Sequence, residues 1–243
     1  MKISRLLMTA IFSFVGVLAV AQSWMMQPQG PVNEFSAMEG TSVLNYNFQV
    51  ERNIHSRAGN GPVFYIFPDC KLDNNQALEL AGNLDLVNII KEYGGRIMVV
   101  NPSSDKWQEQ DLEDFRRLIG MGSSPTNVKV IGIGSGATFV NRQLAATELT
   151  GVIAGIVSID GEPGKICRLP VPAFIGGKNA AKAAKPYQTT SDSAPSDPLQ
   201  KVVVNTDKKA SLETLFAEAW DKILSANYRY NNLYRTFYMS RGI

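Results

Sequence analysis

Histidine is almost absent from this chain: His55 stands alone among 243 residues. One histidine and two distant cysteines, Cys70 and Cys167, do not make a metal-ligand set, so no metal and no cofactor is expected. Two cysteines are also too few for a disulfide scaffold. An excess of charge is lacking as well. The 24 Lys and Arg face 22 Asp and Glu, and Lys2 and Arg5 account for the difference. The remainder is neutral overall, which removes the electrostatic case for a nucleic-acid partner. Long apolar runs are missing apart from Leu6 to Val20, so no later segment reads as a membrane span. There is no internal repeat.

The one apolar run sets the expected compartment. Lys2 and Arg5 precede it, and Ala19-Val20-Ala21 ends it as a small-x-small cleavage site. Residues 1–21 therefore read as a secretory signal peptide cut after Ala21, which predicts a secreted or periplasmic protein. An uncleaved anchor is the alternative. The remaining chain of about 222 residues suits one domain with a sizeable core. Residues 22–41, rich in Gln, Pro, Met and Asn, read as a linker or N-terminal arm. Residues 42–226 form the expected domain. Residues 227–243 are an aromatic and basic tail in which Tyr228, Tyr230, Tyr234, Phe237 and Tyr238 alternate with Arg229, Arg235 and Arg241. Such a tail can stack on sugar rings, dock a partner or pack back on the domain.

Within the domain, Ser42 to Arg52 alternates apolar and polar residues as an edge strand does. Pro62 to Phe67 reads as a buried strand ending at Pro68-Asp69, and Asn74 to Tyr93 as one amphipathic helix. A strand over Ile97 to Val100 and a helix over Trp107 to Ile119 follow. Val152 to Ile159, Pro172 to Ile175 and Val202 to Val204 read as further strands, and Ser211 to Ile223 as a helix. Tyr187 to Leu199, rich in Ser, Thr, Asp and Pro, reads as a mobile loop. This alternation predicts an α/β fold: a doubly wound, mostly parallel sheet covered on both faces.

The stretch Asn127 to Val140 carries the most information. Val128, Val130, Ile131 and Ile133 give a strand, Gly132, Gly134 and Gly136 a very tight turn, and Phe139, Val140, Leu144 and Ala145 a helix. This is the layout of the G-x-S-x-G nucleophile elbow. Gly132 and Gly136 take the flanking glycines, and Gly134 stands where the serine belongs. A shift of one residue puts Ser135 at the tip but places the bulky Ile133 where a small residue is needed. Gly132-x-Gly134-x-x-Ala137 also fits the dinucleotide fingerprint, with only Asp160 as the later acidic residue. A ligand-free glycine turn remains a further reading.

On these residues the chain from about 43 to 224 resembles an α/β-hydrolase, close to the secreted esterase and polyester-depolymerase type. The resemblance implies a three-layer sandwich. It implies that the loop at Pro68-Asp69 supplies oxyanion-hole amides and that Val128 to Gly136 is the central strand and elbow. Where such hydrolases often carry H-G-x-x-D, this chain has Gly176-Gly177-Lys178-Asn179-Ala180, so the triad acid is missing. The loop expected to carry the base, Asn205-Thr206-Asp207-Lys208, has no histidine, and His55 lies far upstream. A Ser135 nucleophile with Lys178 or Lys165 as base is one atypical route; Asp160 and Glu162 are a carboxylate pair only if both face one pocket. In the hydrolase strand order the loops bearing Cys70 and Cys167 rise on either side of the elbow, about 10 Å apart. The resemblance therefore implies a Cys70–Cys167 disulfide over the vestigial site, with two separate thiols as the alternative.

The expected function is an exported α/β-hydrolase-like domain that has lost hydrolysis and binds a polymer, glycan or protein partner. The vestigial pocket comprises Gly132, Gly134, Ser135, Gly136, Pro68, Asp69, Asp160, Lys178 and Asn179. An esterase or depolymerase acting through Ser135 and a structural envelope domain are the alternatives.

Overall fold

A computed structural model describes residues 35–48, 62–93, 95–121, 128–192 and 201–225. The expected signal peptide, His55, residues 193–200 and the aromatic tail lie outside the described residues.

In chain order the elements are β1 (Ser36–Ala37), β2 (Val43–Phe48), β3 (Val63–Phe67), α1 (Asn74–Asn83), α2 (Leu86–Tyr93), β4 (Gly95–Val100), α3 (Glu109–Met121), β5 (Val128–Ile133) and α4 (Ser135–Phe139). Then come β6 (Ile153–Ile159), β7 (Ala173–Gly176), α5 (Ala180–Ala183), α6 (Lys185–Asp192), β8 (Val202–Asn205) and α7 (Leu212–Ala219). Single π-helical turns, Val140–Leu144 and Trp220–Leu224, extend α4 and α7.

The strands form one sheet in the order β1-β2-β4-β3-β5-β6-β7-β8. β3 to β8 run parallel, while β1 and β2 pair antiparallel at one end. This is the doubly wound, mostly parallel sheet expected from the sequence. Its central strands are buried on both faces, including all seven residues of β6. Alternate side chains feed two cores. On one face Tyr65, Phe67, Val130, Ile156 and Ile175 pack with Phe115 of α3, Phe139 of α4 and Tyr187 of α6. On the other, Phe64, Ile66, Ile131, Val157 and Phe174 pack with Ala77, Ile90 and Phe216 from α1, α2 and α7. The result is three layers.

Several elements depart from expectation. The single helix over Asn74 to Tyr93 is two helices, because Asp85 turns left-handed at φ 53° and restarts the chain, its carboxylate accepting from the Asn88 amide at 2.7 Å. Periodicity survives the break, since Leu84, Leu86 and Ile90 all reach the core. The helix expected from Trp107 begins at Glu109, where buried Asp111 accepts the backbone N–H groups of Ser103 and Gln108. Part of the expected loop from Tyr187 is helix α6, because Tyr187 is an anchor only 2% exposed. The end of the expected N-terminal arm joins the sheet: Phe35 is buried against Tyr46, ring centres 5.4 Å apart, and β1 lies outside β2, which is therefore not the edge.

Candidate functional site

Strand β5 ends in the middle of the sheet, and the chain reverses into α4 at a single residue. Gly134 has φ 57° and ψ −118°, a conformation that L side chains rarely adopt. Its N–H donates to Ile159 of β6, and its carbonyl accepts from the Thr138 N–H and hydroxyl. The flanking residues are glycine for want of room. A Cβ at Gly136 would lie 2.1 Å from the Phe67 carbonyl oxygen, and one at Gly132 2.6 Å from Ala137 Cα. Helix and strands thus meet backbone to backbone around a strained tip that carries no side chain.

Ser135 is the first residue of α4 and is exposed. Its hydroxyl donates to the Asp69 backbone carbonyl, so it points back at the loop after β3. Its amide donates to Asp69 Oδ1 at 2.6 Å. In an elbow, this amide following the tip residue is one half of the oxyanion hole. The same carboxylate occupies the space above Gly134: a Cβ there would fall 2.3 Å from Oδ1 and 2.6 Å from Cγ. Asp69 is thus the central group of the site. The sequence places Asp69 in this pocket, and the structure adds that its side chain, rather than the loop's backbone amides, faces the tip.

The loop bearing Asp69 is tied down. Trp107 Nε1 donates to the Pro68 carbonyl at 3.1 Å, while its ring packs on Phe67 and Phe139, centres 5.4 and 4.7 Å away. Trp107 carried no sequence signal beyond helix periodicity, because its partners come from two other elements.

The remaining candidates hold a second loop. Asp160, at φ 58°, accepts the Lys178 N–H at 2.9 Å. Glu162 accepts from the Asn179 side chain at 2.8 Å. The two carboxylates therefore brace the turn after β7 through different partners. Asp160 gives its Oδ1 to this turn, whereas a dinucleotide site would place that acid on a ribose. Asn141 bridges the Glu162 carbonyl and the buried Tyr187 hydroxyl, each at 2.9 Å. Burial, helped by nearby Cys167, raises the Tyr187 pKa well above its usual value, so the hydroxyl stays a donor. The turn after β7 holds Gly177, Lys178 and Asn179, and Asn205, the last residue of β8, directs its side-chain amide to Glu218. Asp207, in the loop after β8, gives its carboxylate to the Lys209 N–H at 2.9 Å. Neither Lys178 nor Lys165 takes the Ser135 hydroxyl, whose partner is the Asp69 carbonyl.

The expected disulfide is not formed. Cys70 is an exposed thiol and Cys167 a buried one. The loop after β6 dives beneath the sheet edge: a Cβ at Gly164 would sit 1.9 Å from the Asn141 carbonyl oxygen, and Arg168 N–H bonds the Ala145 carbonyl. That path carries Cys167 into the core, where its thiol donates to the Leu169 carbonyl at 3.2 Å.

Beside the elbow lies a shallow depression of about 270 Å³ between the loop after β3 and helix α1. Pro68, Leu72, Leu80 and Ile133 give it an apolar floor, and Asp69, Glu79 and Asn83 a polar margin.

No protein-family model and no curated protein matches this chain. Among solved structures it is similar to a candidate dienelactone hydrolase from Klebsiella pneumoniae (12% identity, 75% of this chain and 91% of that one, TM-score 0.49). It is also similar to an alpha/beta hydrolase enzyme from a Medee basin deep-sea metagenome (14% identity, 86% and 94%, TM-score 0.48). A third is a lidless a/b serine hydrolase from Xanthomonas campestris (14% identity, 74% and 86%, TM-score 0.40). The strand order and the turn at Gly134 are this chain's own evidence. The fold is that of the α/β-hydrolases. Within it, β5 reverses into α4 at Gly134, with helix and strands in backbone contact.

Proposed function

We propose that this chain is an exported α/β-hydrolase-fold domain that binds a polymer, glycan or protein partner and does not hydrolyse it. The observation that carries the reading is the glycine at the elbow tip, Gly134 at φ 57° and ψ −118°, with the neighbouring Ser135 hydroxyl turned to the Asp69 carbonyl. A serine acts as a nucleophile only when a base removes its proton and donors receive the oxyanion. Ser135 faces a backbone carbonyl, which removes no proton. The open depression beside α1, apolar at its base and polar at its margin, supports binding of an extended surface or chain over enclosure of a small substrate. Export is inferred from residues 1–21.

The test has two arms. Hydrolysis of short p-nitrophenyl esters by the full chain is expected not to exceed that of Ser135→Ala. Turnover that disappears in Ser135→Ala would establish the esterase reading instead. For the binding arm, Leu80→Arg is expected to abolish retention on whichever glycan, polyester or protein partner retains the wild type. Retention by none of them would favour a structural domain.

A further inference from the structure

The elbow is occupied by part of the protein itself. We propose that Asp69 is an internal plug of the elbow: its carboxylate fills the volume that a side chain at Gly134 would take and engages the amide that would otherwise face a ligand oxygen. Three observations converge on it. Asp69 Oδ1 lies 2.6 Å from the Ser135 nitrogen. Carboxylate atoms of Asp69 stand 2.3 and 2.6 Å from where a Cβ on Gly134 would be, closer than any real contact permits. The residue is also held in place from both sides, by Trp107 on the Pro68 carbonyl and by the Ser135 hydroxyl on its own carbonyl.

The consequence is electrostatic as well as steric. An acyl substrate reacting here would develop negative charge at the Ser135 amide, where the donor already faces a carboxylate. Two like charges competing for one N–H repel each other, and a donor engaged by an internal anion cannot stabilise a transition state. Gly134 and Asp69 are thus a matched pair in volume, and a side chain at the tip requires the carboxylate to leave. A serine placed at the tip alone would therefore not reopen the site. This deepens the non-hydrolytic reading and rests on it for its meaning. Ester turnover tests that reading, whereas stability coupling and an amide resonance test this one, so either can fail alone.

The experiment is a double-mutant cycle on the full chain with Gly134→Ala, Asp69→Ala and the pair. Backbone strain at the tip is common to both backgrounds and cancels. Gly134→Ala is expected to lower the folding equilibrium constant at least tenfold more with Asp69 present than in the Asp69→Ala background. Equal penalties in the two backgrounds overturn the proposal. Should Gly134→Ala fail to fold, the Ser135 amide NMR resonance supplies the answer. Hydrogen exchange of this amide with solvent is expected to be slow in wild type and to quicken in Asp69→Ala, which removes the acceptor. A Ser135 amide that exchanges at the same rate in wild type and Asp69→Ala overturns it.

Discussion

Lys129, the second residue of the central strand β5, donates its ammonium group to the backbone carbonyl of Leu224 at the end of the last described helical turn. The lysine is only 2% exposed. It stands two residues before Ile131, on the face covered by α7, so it ties the C-terminal helix to the sheet from below. A helix C-terminus favours a cation. Burial opposes it more strongly and lowers the Lys129 pKa from 10.5 to about 7.

Stability should therefore depend on alkaline pH in a direction set by that shift. Below about pH 7 folded and unfolded states both hold the proton, and the cost of burying the charge is fully present. Between about 7 and 10.5 the unfolded chain binds more protons, so stability rises with pH, by at most about 1.4 kcal/mol per unit. Lys129→Met is expected to flatten this rise. Urea unfolding between pH 7 and 9.5 checks it, and a wild-type profile as flat as the variant's would contradict it. Above pH 10 an opposite trend enters, because burial pushes Tyr65 up to about 12 and also raises Tyr46 and Tyr187. Their contribution is present below pH 10 and is lost above it as the unfolded tyrosines ionise.

Placing a serine at the elbow tip should harm the fold without creating an esterase. Gly134→Ser puts a side chain at φ 57° and against Asp69. Strain of this kind costs about 1–3 kcal/mol before the clash is counted. The expected result is a lower unfolding midpoint and no p-nitrophenyl ester turnover above wild type. Appreciable turnover would overturn the non-hydrolytic reading.

Tyr187→Phe should destabilise by about 1–3 kcal/mol, because it removes the donor to Asn141 Oδ1 and leaves a buried amide oxygen without that bond. Asn141 also holds the loop after β6, so proteolysis near Glu162 is expected to quicken. An unchanged chemical denaturation curve would show that water replaces the hydroxyl.

Thiol labelling should proceed in two stages. Cys70 is exposed and Cys167 buried, and no disulfide joins them. A thiol reagent added to the native protein is expected to modify one cysteine, and both only after unfolding. Complete resistance before reduction would point to a bridge.

Much of the fold was legible in the residues because its signals are local. The run Val128 to Ile133 and the glycines after it announce a buried strand and a tight turn within a few residues, and the strand–helix alternation leaves few ways to order a sheet. Gly134 sits at the tip in the sequence and in three dimensions alike, since a turn's conformation is set by the residues inside it. The helix break at Asp85 was hidden because hydrophobic spacing continues across it. In the sequence Lys129 is one polar residue in an apolar run, because its carbonyl partner lies 95 residues on.

By itself the sequence determined the parallel layering and the glycine turn after β5, both properties of composition and short-range pattern. Only the tertiary structure decided what fills the elbow and where the cysteines go. Asp69 reaches the Ser135 amide across 66 residues, and Cys167 turns inward because the loop after β6 packs against Asn141. Strand order places the start of a loop at a sheet edge. The path beyond that point follows from side chains and backbone of other elements competing for the same space, which no single stretch of sequence contains.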